Sequence, residues 1–223
     1  MNPLALARLL RLASPALPVG AFSYSQGLEW AIEAGTVSDE NSAAHWIGSL
    51  LRGNLARFEL PMLVALMEAW RHDDLERAQR LNAEYIATRE TAELRAETLQ
   101  TGSALRAALA AGEGGDTPPL GEFETLAFPT AFAFAAAGWE IPAREAAVAC
   151  AFSWLENQVT AAIKLVPLGQ SAGQRMLAAL SRDVVEAVET ALHLDGEEWS
   201  NFAPLYAVAS CKHETQYTRL FRS

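Results

Sequence analysis

The sequence predicts an all-α fold, a single-domain helical bundle of about ten helices, and three observations carry that prediction. Apolar residues recur at helical spacing almost throughout the chain. No alternating run closes on a turn dipeptide as a hairpin would. Residues that start and stop helices punctuate the pattern at helical intervals. The 223 residues fit one domain, 1–223, with a core large enough to need no disulfide or metal staple.

Asn2 and Pro3 read as N-cap and first residue of a helix running to about Ala13. Ser14–Ala21 is a Pro/Gly connector, and a second helix covers roughly Ser25–Ala34, stopping at Gly35. Ser38 caps the next, Asp39 and Glu40 complementing the dipole of its first turn; it reaches about Arg57, and another helix runs from about Pro61 to Arg71. From Asp74 to Ala111 the pattern is long, charged and helical, with Arg80/Glu84 and Arg89/Glu93 at i,i+4 spacing. Gly112–Gly121, rich in Gly and Pro, is a surface loop. Pro129–Ala137 is an apolar helix ended near Gly138, and Pro142 opens another to about Leu165. Ser171–Leu194 is amphipathic, with Leu177, Leu180, Val184, Val188 and Leu192 on one face. A short helix near Pro204–Ser210 leads into a polar C-terminal tail at about 211–223, expected to be mobile.

Composition narrows the function classes. The net charge of −10 and a pI near 4.9 argue against nucleic acid or an anionic membrane as partner. Apolar residues make up 51% and mean hydropathy is +0.07, high for so acidic a chain, which favours apolar surface kept for protein partners. The longest charge-free runs, Leu12–Leu28 and Thr125–Trp139, are broken by Pro and Gly, so no membrane span is expected. Arg8 and Arg11 spoil a signal-peptide core, and two cysteines make no disulfide framework, so the expected location is the cytoplasm.

Few residues point to chemistry. Gly169-Gln170-Ser171-Ala172-Gly173 spells G-x-S-x-G, the strand-to-helix turn that presents a nucleophilic serine in α/β-hydrolases, and Asp195 and His213 follow in the order of a triad. That motif needs a preceding strand, which this sequence does not offer; the plainer reading makes Ser171 the cap of the amphipathic helix. No P-loop occurs. The four histidines show no H-x-x-x-H spacing and there is no CxxC. Cys211 and His213 are candidates only for a transient contact with a metal such as Ni or Zn, and no structural metal site or tightly bound cofactor is expected. In the helix from Pro142 to Leu165, Ser153, Asn157, Thr160 and Lys164 recur at spacings of 4, 3 and 4, one polar stripe on an apolar rod. Such a stripe either bonds to neighbouring helices, with Lys164 snorkelling at the end, or lines a wet passage or partner surface. The connector Pro15–Glu29 is too apolar and aromatic for an idle linker.

Several blocks resemble the UreF family of urease accessory proteins: Leu12–Glu29, Arg89-Glu90-Thr91-Ala92-Glu93-Leu94-Arg95-Ala96-Glu97, Ser153-Trp154-Leu155-Glu156-Asn157-Gln158, Lys164-Leu165-Val166-Pro167-Leu168-Gly169-Gln170 and the ending His213–Ser223. Cys211-Lys212 departs from the small residue and Arg more usual there. The resemblance implies an all-α, dimeric, non-catalytic maturation factor. Its implied partners are a UreD-type protein (also called UreH), a UreG-type GTPase and the urease apoprotein, with nickel handled by the assembled complex. It also implies partner-binding roles for Ser23, Tyr24, Gln26, Glu29, Lys164, Gln170, His213, Glu214, Tyr217, Arg219 and Phe221. The tail resembles a segment that becomes ordered when the UreD-type partner binds, and Tyr24 and Arg219 are expected to meet when it docks. The competing readings are a serine hydrolase using Ser171, and a nickel store, which four scattered histidines do not favour.

Overall fold

In the computed structural model, which describes residues 1–112 and 118–223, eleven α-helices and no strand are present among the described residues. They are α1 (Pro3–Leu12), α2 (Leu28–Glu33), α3 (Glu40–Leu50), α4 (Leu60–Arg71), α5 (Leu75–Ala87), α6 (Ala92–Gly112), α7 (Pro118–Gly121), α8 (Phe128–Gly138), α9 (Ala143–Leu165), α10 (Gln170–His193) and α11 (Pro204–His213). Of the loop expected at Gly112–Gly121, residues 113–117 lie outside the described residues, and the rest holds the single turn α7.

The core forms where α9 lies along α10 and α4 along α8. Ala147, Ala151, Leu155, Val159 and Ala162 of α9 are buried and recur at three- or four-residue spacing, so small side chains let neighbouring helices approach closely. From α4, Leu60, Met62, Leu63, Leu66 and Met67 are nearly all fully buried, filling the space against Phe132 and the alanines of α8. No residue caps α8 from within. Asn82 of α5 does so from outside: its Oδ1 accepts from the Ala127 N–H and the Thr130 hydroxyl, each at 2.9 Å, while its Nδ2 donates to the Thr125 carbonyl.

Several local expectations are corrected. The break expected near Pro61 is absent: α3 runs into α4 through a π-helical stretch, Leu51–Glu59. Pro61 has no N–H for the Arg57 carbonyl, which instead accepts from Ser200 at 3.0 Å, so the widened turn absorbs the proline without ending the helix. The cap of α3 is Asp39, not Ser38, with Ser42 closing a reciprocal capping box. The long helix from Asp74 splits into α5 and α6, because Thr91 turns its hydroxyl to the Leu94 N–H and caps a new helix. Neither expected i,i+4 pair forms: Arg80 pairs with Glu76, Arg89 with Glu59. The second helix begins at Leu28, three residues late, because Gln26 (φ 54°) and Gly27 (φ 78°) are left-handed. Ser171 is not a cap; Gly169 holds that position.

The packing gives a first prediction. A Cβ on Gly102 of α6 would lie 2.1 Å from the Leu126 carbonyl oxygen and 2.8 Å from the Ala127 carbonyl carbon, both backbone. On Gly173 it would meet the flexible end of Ile163. Gly102→Ala is therefore expected to cost about 3 kcal/mol and Gly173→Ala under about 1 kcal/mol in urea unfolding. Equal costs would contradict this account of the α6–α8 contact.

Candidate functional site

The site is built where the end of the chain folds back on the segment before α2 and on the exposed side of α6. Where the sequence predicts a mobile end, the structure seats residues 213–223. Two backbone bonds run between the segments: Arg222 N–H to the Ser23 carbonyl at 2.8 Å, and Ser25 N–H to the Ser223 carbonyl at 2.6 Å. The Ser25 hydroxyl donates to that same oxygen.

Glu29 is the centre of the clamp. It is only 7% exposed, and its carboxylate accepts from the Leu220 N–H at 2.6 Å and the Phe221 N–H at 2.9 Å, with His213 Nε2 at 3.1 Å. His213, itself fully buried, turns its other ring nitrogen to Glu93 at 2.7 Å. Glu93 also accepts from Arg219 at 2.6 Å, and its backbone N–H donates to Glu214. A buried carboxylate is tolerated only when it is paired and hydrogen-bonded, and here the tail itself supplies the donors.

Two shells of polar groups support the clamp. The Tyr24 hydroxyl donates to Gln100 at 2.6 Å and its carbonyl accepts from Asn157. Gln26 donates to Glu97 at 2.8 Å and accepts from the Trp154 indole at 2.7 Å. Phe221 is buried beneath Lys164, whose ammonium stands 5.8 Å from the ring centre. Behind these residues lies a cavity of about 130 Å³ lined by Gln26, Asn54, Glu59, Arg89, Glu97 and Trp154 among others. In it the Arg89 guanidinium is paired with Glu59 at 2.8 Å and lies 4.2 Å from the Tyr85 ring centre, while Tyr85 also bonds Glu59. Burial alone would lower the Arg89 pKa, but the charges of Glu59, Tyr85 and Tyr206 together with the Glu59 hydrogen bond outweigh it, and the pKa is raised. Burial drives the Tyr85 and Tyr206 hydroxyls well above their ordinary range.

Burial also pushes Glu97 up from 4.5 to about 7, against the opposing pull of the Gln26 hydrogen bond and the Arg89 charge. Because the folded-state value is raised, the stability Glu97 contributes is full below about pH 4.5 and is lost as pH rises through 7. Glu97→Gln should therefore gain on the parent by on the order of 2–3 kcal/mol between pH 4.5 and 8, in paired denaturation curves. A difference that stays flat with pH would refute the assignment.

Of the residues singled out from the sequence, Ser23, Tyr24, Gln26, Glu29, Lys164, His213, Glu214, Arg219 and Phe221 come together here. Tyr217 is near but wholly exposed, and Gln170 stands exposed at the start of α10, away from these hydrogen bonds. Tyr24 and Arg219 do not meet; Arg219 goes to Glu93, and Arg222 is the arginine beside Tyr24. Of the polar stripe on α9, Ser153 and Asn157 are half-buried, while Thr160 and Lys164 are exposed. Sequence reading missed Gln100 and Arg222, gave Ser25 only a place at the start of the second helix and Glu93 only a local pair with Arg89, and gave no role to Glu97. The spacing of 4 and 3 in Glu93, Glu97 and Gln100 places all three on one face of α6 and is the signal that could have found them.

The serine-hydrolase reading fails on geometry. Ser171 sits exposed in the first turn of α10, no strand precedes it among the described residues, and His213 is engaged by Glu29 and Glu93. Cys211 is exposed, and among the described residues no group of three or more His, Cys, Asp or Glu side chains is placed to hold a metal ion. Among them too, no helix is long and apolar enough to cross a membrane.

Comparison with known proteins adds independent findings. The model of the UreF family matches residues 37–181. Over 225 residues the chain is 56% identical to the urease accessory protein UreF of Azoarcus sp. (strain BH72), covering 99% of this chain and 96% of the relative. It is 50% identical to the urease accessory protein UreF of Dechloromonas aromatica (strain RCB), covering 99% and 98%. To that of Methylobacillus flagellatus it is 47% identical, covering 98% and 97%.

Proposed function

The chain belongs to the UreF family of urease accessory proteins, and we propose that it acts as a non-catalytic adaptor in urease maturation. In this reading it binds a UreD/UreH-type protein and with it recruits or regulates a UreG-type GTPase. The assembly, working in the cytoplasm on a homodimer of this chain, delivers nickel to the urease apoprotein as cargo. The chain itself holds no tightly bound cofactor.

The observation that carries the reading is the seated tail, together with exposed apolar side chains on the tail and on the α11 region. A buried clamp holds the backbone of residues 220 and 221, while Leu220 is 67% exposed, and Phe202 and Leu205 of the α11 region are 83% and 74% exposed. A segment so anchored on one side and so apolar on the other is suited to present a surface to another protein. Leu6 and Leu10, at i,i+4 spacing, form a second exposed apolar strip along α1, which supports more than one protein partner.

Size-exclusion chromatography with light scattering tests the proposal. The chain should run as a dimer and form a larger complex with a UreD-type protein, then a larger one with a UreG-type GTPase. Ending the chain at Ser210 should abolish the first step. Because that truncation also removes the buried His213, Leu205→Glu/Tyr217→Glu serves as the second variant. Both side chains are exposed, so the fold should survive by circular dichroism while the complex is lost. A full-length chain that binds neither partner, or a double variant that still binds as tightly, would overturn the reading.

A further inference from the structure

Away from the clamp, a groove of about 800 Å³ opens at the end of the bundle where α4 and α8 both finish. Its floor is aromatic. The Trp70 indole is fixed by a hydrogen bond to the Thr130 carbonyl at 3.2 Å, and Phe134 meets it edge-on with ring centres 5.2 Å apart. Around this floor stand Asp73, Glu122 and Glu140, all exposed, and none of their carboxylates has an ion-pair or hydrogen-bond partner among the described residues. Arg71, the one cation lining the groove among the described residues, has its guanidinium turned to the Ile141 carbonyl at 2.7 Å. The carbonyl ends of α4 and α8 add partial negative charge in the same place, and the amide end of α5, which also meets the groove at Leu75, is capped by the Asp74 carboxylate.

We propose that this groove docks an arginine-bearing basic segment of a protein partner. The guanidinium plane can stack on a fixed aromatic floor while its fork bonds carboxylates at the rim, a combination an ammonium does not reproduce. The volume exceeds what one side chain fills, so a segment with more than one basic residue fits better than a free cation. The groove lies on α4, the start of α5, α7 and α8, whereas the clamp is built on α2, α6 and the tail, so the proposal is independent of the adaptor reading.

The probe is a short fluorescein-labelled peptide of alternating arginine and glycine, titrated with the full chain at low salt and read by anisotropy. The peptide is expected to bind. Asp73→Asn/Glu122→Gln/Glu140→Gln should weaken it about tenfold, and added salt should weaken it further. Glu33→Gln/Glu186→Gln/Glu197→Gln, which removes the same charge from exposed positions elsewhere, should change it less than about twofold. The lysine version of the peptide should bind several-fold more weakly. Equal losses in the two triple variants would mean that only the overall acidity attracts the peptide. Equal binding of the lysine peptide would remove the aromatic floor from the account, and no binding at all would overturn the proposal.

Discussion

Glu29→Ala is expected to release the tail and to lower the thermal midpoint by roughly 10 °C. The carboxylate accepts from two tail N–H groups and faces His213 while almost fully buried, so its loss strips the tail of its main anchor at a cost of about 3–5 kcal/mol. The orphaned N–H groups can recover hydrogen bonds only by leaving for water. The damage should therefore appear first as local opening of residues 214–223 and not as global unfolding. Limited proteolysis reads this directly: the parent should resist cleavage in the tail and the variant should be cut there before the body is. Glu93→Gln should do less, because Arg219, one of its two side-chain partners, is 41% exposed. Tails that resist equally in parent and Glu29→Ala would refute the anchor.

Arg89→Ala is expected to destabilise the body itself by about 3–5 kcal/mol. Glu59 and Arg89 are 18% and 7% exposed, and removing the guanidinium leaves a carboxylate in the interior with only Tyr85 and Asn54 as donors. It also removes a cation from the face of Tyr85. The double variant Arg89→Met/Glu59→Met should be less destabilised than Arg89→Ala alone, because no charge is then stranded. Urea unfolding of the three variants checks the order. A double variant worse than the single would mean that shape, not charge, sets the cost.

The helical frame was legible because it is local. Asn2 before Pro3, the Pro129 and Pro142 starts and the amphipathic stripe of α10 are all read within one or two turns, and the structure places helices on each. The break at Pro61 was misread because the Ser200 N–H, from outside the helix, donates to the Arg57 carbonyl that Pro61 leaves unpaired. Arg89 and Glu93 were misread for the same reason. Their spacing suits a local pair, yet one points toward Glu59 and the other toward His213 and Arg219 of the tail. Tertiary partners from distant segments won in both cases. The clamp was half legible: the resemblance supplied Tyr24, Glu29 and the tail, but not that Glu29 takes the backbone of residues 220 and 221.

The most direct test of the central claim, that the Glu29 carboxylate seats the end of the chain, is hydrogen exchange at the Leu220 and Phe221 amides. In the free full-length chain both should be strongly protected, and in Glu29→Gln both should exchange near the rate of an unstructured peptide. Amides that exchange at that rate in the parent, or that stay protected in the variant, would contradict it.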